Sequence, residues 1–117
     1  MTSTSLFFET FLKQKKISYQ TKPLNNLTIY IFEHTIPYGK YTGQKVEVGL
    51  PIPSDFEVTP PYGFHIKKNH GFEGKIPNVN ASPLGDEWEF WSRQIQTWNA
   101  TNKAQYYFDY VNRWLEL

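Results

Sequence analysis

The stretch Leu27-Thr-Ile-Tyr-Ile-Phe-Glu-His-Thr-Ile-Pro-Tyr-Gly-Lys-Tyr-Thr-Gly-Gln-Lys-Val-Glu-Val-Gly-Leu50 decides the fold class. Leu27, Ile29 and Ile31 alternate with Thr28, Tyr30 and Phe32, and Val46, Val48 and Leu50 alternate with Lys45, Glu47 and Gly49. Runs of β-branched and aromatic residues at a period of two read as half-buried strands. Pro37-Tyr38-Gly39 and Thr42-Gly43 punctuate the connection, so the two strands pair as part of an antiparallel meander. On the N-terminal side, Lys22-Pro23-Leu24-Asn25-Asn26 reads as a turn. Ser3 to Lys16 reads as a short amphipathic helix with Leu6, Phe7, Phe8, Phe11 and Leu12 on one broad face.

On the C-terminal side, Pro51, Pro53, Pro60 and Pro61 bracket an irregular segment, because proline removes a ladder donor and holds its predecessor extended. Tyr62 to Lys67 then reads as a third short strand. From Lys68 to about Ala100 no period is sustained and Gly71, Gly74, Pro77, Pro83 and Gly85 interrupt, which predicts a long structured loop; Trp88, Phe90, Trp91 and Trp98 argue against disorder there. After the capping candidate Thr101, Ala104, Tyr107, Phe108, Val111, Trp114 and Leu115 recur at helical spacing, a closing helix whose stripe packs on the sheet. The expectation is one α+β domain over residues 1–117, with its helices on one sheet face.

Composition narrows the function. The 117 residues contain no cysteine, which excludes disulfides, thiolate metal sites and thiol nucleophiles. Twelve basic residues against 11 acidic ones give no field to hold a phosphate backbone, so nucleic acid is not expected as the main partner. The apolar runs fall far short of the ~20 residues needed to cross a bilayer, and the N-terminal stretch lacks the layout of a secretory signal. No membrane partner and a cytoplasmic location are expected. His65 and His70 lack a helix to align them or a third ligand in sequence, so no metal and no cofactor is called for.

Four features in order carry a resemblance: LPIPSDFEVTPPYGFHI at Leu50 to Ile66, Ile76-Pro77-Asn78-Val79, the loop Asn80 to Gln94, and Trp98. Together with the helix before and after, they resemble the ubiquitin-conjugating enzyme (UBC) fold. Ser82-Pro83-Leu84-Gly85 and Trp88-Glu89-Phe90-Trp91-Ser92-Arg93 are similar to a divergent bacterial branch of that superfamily. Two departures stand out: Ile76 occupies the place of the family's motif histidine, and the catalytic cysteine is absent.

The resemblance implies handling of a ubiquitin-like modifier after a ThiF-type activating enzyme has charged it. Asn78 matches the asparagine that supports the oxyanion in the thiol enzymes, where an amide is a suitable donor; turn formation after Pro77 is the alternative. Without cysteine the carrier would be a hydroxyl, Ser82 first and Ser92 second, holding the modifier as an oxyester. A serine needs a positioned base, with His65, His70 or Asp86 available; a Ser-Pro turn is the bland alternative for Ser82. Lys13, Lys15, Lys16 and Lys22 resemble the basic N-terminal helix that docks the activating enzyme, against a solvated helix end favoured by the dipole. Trp91 with Arg93 offers a partner surface, Arg93 taking a carboxylate, against core packing and a structural ion pair. Three readings stay open: a serine-based conjugating enzyme, a catalytically silent UBC-like module that positions the modifier or its activating enzyme, and an RWD-type interaction domain.

Overall fold

The computed structural model describes residues 5–72, 76–99 and 101–116. An N-terminal helix α1 (Ser5–Gln14) is followed by strands β1 (Gln20–Leu24), β2 (Leu27–Thr35), β3 (Lys45–Pro53) and β4 (Phe64–Lys67). A 3-10 turn (Lys68–His70), β5 (Val79–Ala81), β6 (Trp88–Trp91) and helix α2 (Lys103–Trp114) complete the chain. All six strands form one antiparallel sheet in the order β1-β2-β3-β4-β6-β5. The α+β class and the meander follow the alternation in the sequence.

Each strand's side chains divide by parity between two faces. Tyr30 and Phe32 from β2, Val46 to Ile52 at even positions of β3, Phe64 and Ile66 from β4, and Trp91 from β6 are buried on the inner face. Both helices cover that face: Phe8 meets Tyr30 and Phe56, Phe108 meets Phe11 and Phe32, and Trp114 stacks on Phe64 at 5.9 Å. α1 ends in a Schellman motif, with Ile17 N–H donating to Leu12 O and Lys16 N–H to Lys13 O. Lys16 takes the left-handed position at φ 59°, and Ile17 packs against the core.

Several local expectations are corrected. Residues 22–24 are not turn but the end of β1; the turn is Asn25-Asn26, with Asn25 at φ 55°. Pro23 is tolerated because β1 is an edge strand. The cap of α2 is Asn102, whose Oδ1 accepts the Gln105 N–H at 3.1 Å, rather than Thr101. Ser3 lies outside the described residues, as do the side chains of Leu6 and Phe7. The segment read as one long loop contains the β5–β6 hairpin, which adds two strands beyond β4. β6 shows no alternation in sequence because Trp88 and Phe90 lie on the outer face while Trp91 lies on the inner one.

Gly63 opens β4 at a junction of three elements. Its carbonyl accepts the hydroxyl of fully buried Tyr107 from α2 at 2.8 Å. Its φ is 69°, and a Cβ there would stand 2.0 Å from the Trp91 carbonyl oxygen. Gly63→Ala is therefore expected to lower stability by about 3 kcal/mol or more, read as a fall in the urea midpoint.

Candidate functional site

The turn after β5 covers part of the outer face of the sheet and holds the first serine candidate. After β5 the chain turns at Ser82-Pro83-Leu84-Gly85, with Gly85 N–H donating to Ser82 O at 3.2 Å. Leu84 drops onto Gly49, where a Cβ would meet Leu84 Cδ1 and Ile29 Cγ2, each at 3.1 Å. The glycine lets the turn close onto β3 without displacing either side chain. Ile29 is fully buried and His65 is 4% exposed, although both lie on the face away from the helices.

His65 Nδ1 stands 2.8 Å from Ser82 Oγ, and the same Oγ accepts the Leu84 N–H at 3.1 Å. With the ring proton on Nε2, Ser82 Oγ–H donates to Nδ1 while the same Oγ accepts the Leu84 N–H. Burial holds the His65 pKa down to about 4, and the Phe90 ring lies 4.8 Å from the imidazole. The pair has the geometry of a hydroxyl beside a neutral imidazole base. Asp86, the other base considered for Ser82, is exposed on the turn and has no bond to it.

Asn78 lies elsewhere. It is exposed, in the left-handed region at φ 56°, and its carbonyl accepts the Ser92 N–H at 2.9 Å. β5 runs extended between Asn78 and Ser82, and four residue steps at ~3.3 Å each place their backbones about 13 Å apart. An amide side chain does not span that distance. Ser92 is the hydroxyl next to the amides: Asn80 Nδ2 donates to Ser92 Oγ at 2.9 Å. The residues expected to act together thus fall apart: Ser82 has a base beside it, and Ser92 has the Asn80 amide and the Asn78 main-chain carbonyl.

Arg93 lies over the Trp91 ring at 5.3 Å, and its Nη1 donates to Pro77 O at 2.9 Å and Ser92 O at 2.8 Å. Among the described residues no carboxylate pairs with it, so the structural ion pair considered for Arg93 is replaced by backbone carbonyls. Trp91 is fully buried, packed on Phe64, and so is core rather than surface. Lys13 pairs with Glu9 at 3.2 Å, and Lys15 reaches over the Phe11 and Phe108 rings at 5.0 and 5.7 Å.

Sequence reasoning missed a second polar cluster. Glu89 Oε1 accepts both Trp91 Nε1–H at 3.0 Å and the His70 ring at 2.5 Å, while the Phe72 N–H donates to His70 Nδ1 at 3.1 Å. The Gln44 side chain donates to the His70 carbonyl. His70 therefore fastens the β2–β3 connection and the segment after β4 to β6, and takes no part at Ser82. A Glu at i−2 from a Trp gave no signal of this in the sequence.

Two measurements follow from the buried pair. Ser82→Ala leaves His65 Nδ1 buried without a donor and is expected to cost about 1–2 kcal/mol in chemical denaturation. His65 is neutral when folded and binds a proton more readily when unfolded. Stability should hold above the ordinary histidine value, then fall by about 3 kcal/mol as pH drops from ~6.5 toward 4. His34, 7% exposed and bonded to Asn112 at 2.6 Å, has its pKa lowered by burial and adds to the same loss. A His65→Gln variant should show a shallower loss across that window.

Comparison with family models, with curated proteins and with solved structures finds no match to this chain, so the geometry above carries the functional argument.

Proposed function

We propose that this protein is a UBC-like component of a bacterial ubiquitin-like conjugation system that binds the modifier, or the ThiF-type enzyme that activates it, without carrying the modifier covalently. The observation that carries this reading is the separation of base from amide: Ser82 has His65 but lies at the opposite end of extended β5 from Asn78. Ser92 has Asn80 and Asn78 beside it but no histidine or carboxylate bonded to it. An oxyester needs nucleophile, base and oxyanion donors converging on one carbonyl. The polar capacity of Ser82 is spent inside the fold, on His65 and on the Leu84 N–H. The order of helix, meander, proline-bracketed segment, hairpin loop and closing helix supports the UBC-like reading, as does the motif series from Leu50 to Trp98.

A second reading rests on one distance. The 2.8 Å contact between Ser82 Oγ and His65 Nδ1 is the nucleophile–base spacing of a serine carrier. Against it stands the low basicity of His65, whose pKa near 4 leaves little driving force for taking a hydroxyl proton.

Incubation with the activating enzyme, the modifier and ATP, followed by intact mass spectrometry, separates the two. The expected result is a charged activating enzyme, no hydroxylamine-sensitive adduct on this protein, and a stable complex in gel filtration. An adduct lost in Ser82→Ala and kept in Ser92→Ala would establish the carrier instead. Absence of both adduct and complex would remove this protein from conjugation altogether. If α1 docks the activating enzyme, Lys13→Glu with Lys16→Glu weakens that complex; an unchanged affinity assigns the lysines to the helix end alone.

A further inference from the structure

The sheet has two edges, and they differ. β1 carries Lys22 and Pro23, the residues that guard an edge against pairing. β5, Val79-Asn80-Ala81, is exposed along its whole length and carries neither, the nearest prolines being Pro77 and Pro83 outside it. Ser92 N–H donates to Asn78 O and Asn80 pairs with Phe90, so the β5–β6 ladder bonds fall on the even residues of β5. The N–H and C=O of Val79 and of Ala81 therefore point away from the sheet. They form one complete pairing unit for an added strand.

The charge beside this edge sets a direction. Arg93 Nη1 bonds Pro77 O, which puts the guanidinium at the start of β5, with no carboxylate partner among the described residues. A strand added antiparallel to β5 ends there, so its terminal carboxylate meets Arg93; a parallel strand would bring its amino end instead. Arg93 has five N–H donors, and the two bonds to Pro77 O and Ser92 O both come from Nη1. Nη2 and Nε keep the planar fork that suits a carboxylate.

We infer that β5 and Arg93 form a docking edge for an extended peptide with a free C-terminal carboxylate, added antiparallel through Val79 and Ala81. Such strand addition draws affinity from main-chain bonds and selectivity from the groups at its ends. In the conjugation setting proposed above, on which this identification of the occupant rests, the peptide is the C-terminal tail of the modifier.

The probe is a synthetic Thr-Val-Thr-Val-Gly-Gly peptide, as free acid and as C-terminal amide, titrated into the isotope-labelled protein. The Val79 and Ala81 amide signals should shift and gain exchange protection, and the acid should bind about fivefold tighter than the amide. Arg93→Gln should erase that preference while leaving amide binding in place. Ala81→Pro removes the outward N–H without deleting a β5–β6 ladder bond and should weaken both peptides, with the Asn80 and Phe90 amide signals reporting an intact hairpin. Equal affinity for acid and amide, shifts confined to other parts of the protein, or no binding would each overturn the inference. Whole modifier that binds equally well with its tail removed overturns the docking edge but leaves the proposed function standing. Peptide binding at β5 without any complex of modifier or activating enzyme does the reverse.

Discussion

The approach of Gly63 to Trp91 is the constraint on which the C-terminal half depends. Trp91 is fully buried and brings β6 against β4, but β6 can come that close only where β4 begins without a side chain. The Tyr107 hydroxyl bonds the same glycine's carbonyl, so α2 is fixed to the junction by a group that has no exit to water. Trp114, about two helical turns further along α2, stacks on Phe64, the neighbour of Gly63. Glu89 holds the Trp91 indole N–H and, through His70, the start of the segment that leads to β5. A single glycine thus sets the position of the hairpin that carries every residue of the candidate site except His65.

The outer face shows the complementary device. A six-stranded sheet with helices on one side leaves the other side to water, and most of β1 with Lys45 and Glu47 of β3 accepts this with polar residues, whereas Gly49, Pro51 and Pro53 of β3 are buried. Around Gly49 the Ser82–Gly85 turn closes the face, and burial of Ile29 and Leu84 there stabilises the turn at the expense of enclosing His65. A buried neutral imidazole needs a donor, and Ser82 supplies it. The Ser-Pro turn considered from sequence and the serine–histidine pair are therefore one structure: the hydroxyl caps its own turn through Leu84 N–H and satisfies the histidine beneath it.

The sheet's first half was legible because β2 and β3 alternate over nine residues each, long enough for period two to outweigh composition. α2 was legible for the corresponding reason at helical spacing. β1 was hidden by Pro23, which sequence logic assigns to a turn and an edge strand tolerates. β5 and β6 were hidden because strands of three and four residues carry no period; their existence depends on registers with β4 that are set far away in sequence. At the site, the need of Ser82 for a base from His65, His70 or Asp86 was legible as a chemical requirement. Which histidine met it was not, since His65 and His70 are five positions apart and their different partners follow from strand parity and the 3-10 turn.

One element, β5, decides both what the site lacks and what it offers. A chain that coiled back after Asn78 could bring that amide over Ser82. An extended β5 instead carries the two apart and spends Asn80 on Ser92, across the hairpin from its own strand. The same extension turns the main-chain groups of Val79 and Ala81 outward at the sheet edge, next to a cation that among the described residues bonds only to carbonyls. Covalent capture needs three groups on one atom, whereas recognition of an extended tail needs a straight edge and a charge at its end. The hairpin favours the second arrangement, with its extended backbone supplying the edge and the Arg93 guanidinium supplying the charge.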